Sequence, residues 1–178
     1  MKELALAYLH EMTGNPTASF HEGQWESIDE LVNKQNQLLV VQRTGWGKSA
    51  VYFIATKIRR SQRFGPTLII SPLLSLIRNQ IDSAAKLGLK VVSYNSSMEK
   101  DERQKAEHQI LASQVDAIII APEQLGQTHF AEKILSRISG NIGLFVVDEA
   151  HCISDWGHDF RPDYGRIVRV LQNMPKNM

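Results

Sequence analysis

The chain has almost no cysteine: Cys152 stands alone among 178 residues. One thiol closes no internal disulfide, so a small disulfide-stapled scaffold is excluded and nothing implies an oxidising compartment. Charge of one sign is missing as well. Twenty basic and 19 acidic side chains leave a formal net charge of +1, so no global basic field announces a polyanionic partner, and any nucleic-acid contact has to come from local loops. The apolar runs are too short to span a bilayer, so no membrane partner is expected. The opening MKELALAYLHEM carries Glu3, His10 and Glu11 among its apolar residues and lacks a cleavage-like end; it reads as a helix rather than a signal peptide. Repeats and low-complexity tracts are absent. Cys152 and the six histidines show no zinc-ligand spacing.

What is present suffices for one domain with a proper core, since 43% of residues are apolar. Leu4, Leu6, Ala7 and Leu9 give the first segment an apolar stripe that ends near Gly14-Asn15-Pro16. A second helix is expected from about Glu22, with Trp25, Ile28, Leu31 and Val32 on one face. Short apolar runs then alternate with longer helical segments. The runs are Leu38 to Val41, Thr67 to Ile70, Val91 to Tyr94, Ala117 to Ile120 and Leu144 to Val147; the helical segments are Lys48 to Arg60, Pro72 to Leu87, Met98 to Ala112 and Thr128 to Ile138. The runs lack strict alternation, as strands buried on both faces do. This βαβα rhythm predicts an α/β fold, a mostly parallel sheet flanked by helices on both faces. Ligands of such sheets bind beyond the carboxyl ends of the strands, and the unusual residues of this chain follow the runs. Two features have plainer readings: Ser96 to Glu99 reads as a capping box, and Lys57, Arg59, Arg60 and Arg63 sit where cations complement a helix dipole.

After the run ending at Val41 comes Gln42-Arg43-Thr44-Gly45-Trp46-Gly47-Lys48-Ser49-Ala50, opening a helix. This is the phosphate-loop pattern, with Gln42 in place of its first glycine. Gly45 and Gly47 let backbone N–H groups curl around phosphate oxygens, Lys48 reaches the outer phosphates, and the Ser49 hydroxyl suits Mg²⁺. An incidental Gly-Lys-Ser in a strand-to-helix turn is the competing reading, and the flanking strand and helix weigh against it. Trp46 either covers the nucleotide, faces a partner domain or is a tolerated exposed side chain. The run Leu144 to Val147 ends in Asp148-Glu149-Ala150-His151. There Asp148 suits Mg²⁺, through water, and Glu149 suits orienting and deprotonating an attacking water; a solvated acidic turn opening a helix is the alternative.

Ser71-Pro72 has the form of a helix start whose free N–H groups could hold an anion, with Ser75 and Arg78 adding contacts; ordinary capping is the plainer reading. Trp156 and Phe160 bracket a glycine-containing loop just past the acidic pair. An aromatic there either stacks on a base, worth about 1–3 kcal/mol, or packs a small satellite core. His151, His158, Asp159 and Arg161 would link that loop to Glu149.

The segment Val147-Asp148-Glu149-Ala150-His151-Cys152-Ile153-Ser154-Asp155-Trp156-Gly157-His158-Asp159-Phe160-Arg161-Pro162-Asp163-Tyr164 closely resembles the Asp-Glu-Ala-His box and aromatic-rich loop of RecQ-family helicases. Further blocks resemble the family's motifs in order: Phe20-His21-Glu22-Gly23-Gln24, the phosphate loop, Ser71 to Gln80, and Ala121-Pro122-Glu123-Gln124-Leu125. The likeness covers nearly the whole chain from Phe20 onward. It implies a RecA-like P-loop NTPase domain over residues 20–178, preceded by a helical extension over 1–19. It also implies coupling of ATP hydrolysis, with Mg²⁺, to 3′-to-5′ movement on single-stranded or partly duplex DNA. Gln24 would bond the adenine edge, with Phe20 and His21 beside it. The family likeness favours the DNA reading of Ser71, Ser75 and Arg78.

Three positions depart from the family pattern: His21 stands where Arg is frequent, Asp155 where Gln is usual, and Trp46 at a usual glycine. None removes a catalytic group. By the same resemblance a strand with the third helicase motif and a second RecA-like domain, carrying an arginine finger, belong beyond residue 178. The chain alone is then expected to bind ATP weakly and to hydrolyse it barely. A cytoplasmic location is implied, or a nuclear one in a eukaryote, with the bacterial case favoured. The competing functions are an RNA helicase motor domain and a nucleotide-gated DNA-binding module that does not turn over. A small-molecule kinase is a third, and it would need substrate lids that the sequence does not show.

Overall fold

The computed structural model describes residues 1–34, 47–71 and 74–148. The strand expected over Leu38 to Val41 lies outside these residues. Helix α1 (Lys2–Thr13) is followed by α2 (Gln24–Val32) and α3 (Lys48–Ser61). Strand β1 (Thr67–Ile70), a 3₁₀ turn (Leu74–Leu76) and α4 (Ile77–Ala85) come next. Then follow β2 (Val91–Tyr94), α5 (Lys100–Leu111) and β3 (Ala117–Ile120). A 3₁₀ turn (Pro122–Gly126), a π-helical segment (Phe130–Leu135), α6 (Ser136–Ile138) and β4 (Leu144–Val147) complete the described chain.

The four described strands pair in the order β2-β3-β1-β4, all parallel. Their register is in phase: Tyr94, Ile120, Ile70 and Val147 form one row at the carboxyl edge. Alternation along the strands sends the two faces into two cores. Ile69, Val91, Ala117, Ile119 and Leu144 pack beneath α1 to α4, whereas Leu68, Ile70, Tyr94, Ile118 and Ile120 pack beneath α5 and the segment from Phe130 to Ile138. Both faces are therefore covered, which is why the strands read as largely apolar runs without strict alternation. The run boundaries read from the sequence coincide with all four described strands.

The helices differ from expectation in four places. The buried stripe of α1 is Ala5, Leu9 and Met12, while Leu4 is exposed; α1 meets the core along the i, i+4, i+7 line, and that line excludes Leu4 and Ala7. The helix expected from Pro72 to Leu87 is a 3₁₀ turn and then the shorter α4, whose N-cap is Leu76 with no side-chain cap, so Ser71 does not cap it. The capping box at Ser96 to Glu99 does not form. Asn95 takes over that turn, its Oδ1 accepting from the Ser97 N–H at 3.1 Å and the Ser97 hydroxyl at 2.6 Å, and Glu99 precedes α5 without a side-chain cap. The helix expected over Thr128 to Ile138 is largely π-helical, which places Phe130, Ile134 and Leu135 in the core.

Cations close the amino edge of the sheet. Arg59 is 1% exposed; its guanidinium donates to the Gly143 carbonyl at 2.8 Å and the Leu31 carbonyl at 3.3 Å, and lies 4.0 Å over the Phe64 ring. Burial lowers its pKa from the ordinary arginine value. Arg60 donates to Asp116 at 2.9 Å, and the other oxygen of Asp116 accepts from the Lys90 N–H at 2.8 Å, joining α3 to the starts of β2 and β3. Lys57 reaches the Leu87 carbonyl and lies over the Tyr8 ring. These side chains do more than complement a dipole: they hold α3 across the sheet.

Candidate functional site

At the carboxyl edge, the parallel ladder runs one residue past β1 and β4. Ser71 N–H donates to the Ile120 carbonyl at 2.9 Å, and Asp148 N–H to the Ile70 carbonyl at 2.8 Å. The second bond fixes the backbone of Asp148 directly at the strand end, with its side chain half-buried. Lys48 and Ser49, also half-buried, occupy the first turn of α3. Gly47 is the N-cap at φ 93° and ψ 41°, a left-handed backbone conformation that glycine adopts without strain. The N–H groups of this first turn have no intrahelical acceptors and carry the positive end of the helix dipole, so the position favours an anion.

Two glutamines organise the site. Gln24, at the start of α2 and 3% exposed, accepts from the His21 N–H at 2.7 Å and donates from Nε2 to the Gly47 carbonyl at 3.1 Å. Its amide thereby locks the turn before α2 to the N-cap of α3. A Cβ on Gly47 would meet the Gln24 Nε2 at 2.5 Å. Phe20 is half-buried against Trp25, with ring centroids 6.4 Å apart, and His21 is exposed. The second glutamine, Gln80 on α4, donates from Nε2 to the Tyr52 hydroxyl at 2.9 Å and lies 3.4 Å from the Asp148 Oδ2. Tyr52 stands one turn after Lys48 on α3. Gln80 thus ties Asp148 to the opening turns of α3, which brings the end of β4 and the start of α3 to one edge. The orientation of the amide follows from its neighbours, since only the NH₂ end can face a carboxylate favourably. The Gln80 Oε1 is then buried with no hydrogen-bond partner among the described residues.

Of the proposed DNA contacts, Ser75 and Arg78 are exposed, while Ser71 is fully buried. Thr44, Gly45, Trp46, Glu149, His151, Trp156, His158, Phe160 and Arg161 lie outside the described residues, as do Pro72 and Cys152. Sequence reasoning assigned no role to Gln80 or Tyr52. Gln80 closes the block that begins at Ser71, so its place was visible although its partners were not. Tyr52 sits within an almost wholly buried stretch of α3, and its hydroxyl was the only sign of a polar task.

Comparison with known proteins extends this geometry. The family model described as DEAD/DEAH box helicase matches residues 21–178. The chain is similar to the ATP-dependent DNA helicase RecQ of Haemophilus influenzae, at 34% identity over 98% of this chain and 26% of that protein. It is similar to the ATP-dependent helicase SGS1 of Saccharomyces cerevisiae, at 32% identity over 94% of this chain and 12% of that one. The probable ATP-dependent DNA helicase RecS of Bacillus subtilis is 37% identical over 88% of this chain and 30% of its own length. The chain therefore spans less than a third of each of these relatives. Among the described residues no helix is long and apolar enough to cross a membrane.

Proposed function

Because this chain belongs to the DEAD/DEAH box helicase family, we propose that it is the first RecA-like domain of a RecQ-type DNA helicase, one that binds ATP and couples its hydrolysis to 3′-to-5′ movement along single-stranded DNA. One observation carries the reading. Asp148, at the end of β4, is linked through Gln80 to Tyr52, on the helix whose first turn holds Lys48 and Ser49. The start of α3 and the end of β4 thereby lie toward one edge, which supports the reading.

In this reading Thr44, Gly45, Trp46, Gly47 and Ala50 enclose the phosphates and the Lys48 ammonium neutralises their outer oxygens. Phe20, His21 and Gln24 form the base-side wall. Gln24 is bonded to His21 and Gly47, so it would read adenine only while also holding the phosphate loop in place. The donor set fits a hydrated divalent cation: the Ser49 hydroxyl and the Asp148 carboxylate are both oxygens, and Mg²⁺ prefers oxygen ligands and keeps several waters. When bound, Mg²⁺ supplies neutralisation of phosphate charge. Glu149 takes a proton from the attacking water at its carboxylate, and His151 relays the occupancy of the aromatic loop. Ser75 and Arg78, both exposed, would meet a DNA phosphate; Ser71, fully buried, would do so only through its backbone surroundings. Trp156, His158, Phe160 and Arg161 supply stacking and polar contacts to the strand. Residues 1–19 form an extension that contributes Ala5, Leu9 and Met12 to the same core.

The test is ATP hydrolysis by the complete protein with no nucleic acid, with single-stranded DNA and with RNA. Turnover should rise with DNA and not with RNA. Glu149→Gln should lower it about 10²–10⁴-fold, the range for loss of a general base, with ATP still bound. Equal stimulation by RNA, or full turnover in Glu149→Gln, contradicts the assignment.

A further inference from the structure

The amide of Gln80 is only half used. Its Nε2 serves the Tyr52 hydroxyl and the Asp148 carboxylate, while its Oε1 is buried without a partner among the described residues. An unmet buried acceptor costs about 1–3 kcal/mol, and native proteins seldom leave one without a reason. Rotating the amide does not remove the problem, because it would turn an oxygen toward the Asp148 carboxylate. The missing partner must be a donor, must fit beside Asp148 and must be something other than the described chain. A water in the shell of a divalent cation has these properties, since metal-bound water is a strong O–H donor and Mg²⁺ keeps much of its hydration.

Resting on the nucleotide-site reading above, we propose that Gln80 is a positioning residue for the metal shell: its NH₂ group orients Asp148 while its Oε1 accepts a hydrogen bond from a metal-bound water. Tyr52 anchors the amide from α3, so the shell is braced by both the phosphate-loop helix and α4. Such outer-shell partners typically matter about 10–100-fold in metal affinity. Ser75 and Arg78 belong to the same short segment as Gln80, so a shift of that segment on DNA would reach the metal shell through one side chain.

The experiment uses the full-length protein and Mn²⁺ as a paramagnetic substitute for Mg²⁺. Affinity for Mn²⁺ in the presence of ADP is measured by electron paramagnetic resonance, and ADP affinity is measured separately without metal. Asp148→Asn should abolish the ADP-dependent Mn²⁺ site; if it does not, the nucleotide-site reading fails and Gln80 has nothing to position. With that site established, Gln80→Leu should weaken Mn²⁺ binding by about 10–100-fold and leave metal-free ADP binding unchanged. Tyr52→Phe should weaken it by a smaller factor. Gln80→Asn, which keeps the amide one methylene short, should fall between native and Gln80→Leu, and together with Tyr52→Phe it decides the question if Gln80→Leu does not fold. Unchanged Mn²⁺ affinity in these variants, or an equal loss of metal-free ADP binding, overturns the proposal.

Discussion

Gly47 shows how much one residue controls. Its positive φ would cost another residue roughly 1–2 kcal/mol, and a methyl there would collide with the Gln24 amide. Gln24 could move aside, but only by giving up its bonds to the His21 N–H and the Gly47 carbonyl. Gly47→Ala should therefore lower stability by about 1–2 kcal/mol and weaken nucleotide binding more than Gln24→Ala does, because the alanine displaces the glutamine and distorts the loop as well. Urea unfolding and nucleotide titration of both variants check this; equal nucleotide affinities would show that the loop tolerates the methyl. The glycine itself was legible, since its motif requires it. The glutamine that packs on it was legible only as a candidate base reader, because a contact between residues 24 and 47 depends on how α2 lies across α3.

The elements follow a similar division. Each described strand coincides with a run read from the sequence, because a strand covered on both faces has to be largely apolar. The helix starts were less legible. Ser96 and Glu99 have the spacing of a capping box, but Asn95 competes for the same turn and Ser96 donates to the Gln124 side chain at 3.3 Å. Where β2 meets α5, packing produces a pH effect. Tyr94 is 2% exposed beside Phe130, with ring centroids 5.3 Å apart. Its pKa is raised above the ordinary 10.0, by burial first and by the Glu107 carboxylate second, with Arg103 acting in the opposite sense. For an acid with a raised folded pKa, the neutral form is held better by the folded state. The contribution is intact below the unfolded value and is lost as pH rises through the folded one. Stability should accordingly fall with alkalinity above about pH 10, and Tyr94→Phe should flatten that fall. Parallel declines in the two proteins would assign the alkaline loss to other groups.

Across the whole molecule, among the described residues, cations clamp the amino edge of the sheet, while Asp148 and Gln80 meet at the carboxyl edge beside the start of α3. The aromatic loop follows the acidic pair directly in sequence, and coupling between DNA and hydrolysis is proposed to pass through it. Trp156→Ala in the complete protein should keep ATP binding and remove DNA stimulation of turnover; unchanged stimulation would refute that relay. By itself the sequence determined the four described strands, the order of the motifs and the residue types able to handle phosphate and metal, because periodicity and loop chemistry are encoded among near neighbours. Only the tertiary structure decided that Ser71 is buried, that Gln24 grips the Gly47 carbonyl, and that Gln80 bridges Tyr52 to Asp148. The physical reason is that a side-chain amide can satisfy many partners, and which of them it meets depends on the packing of helices against the sheet.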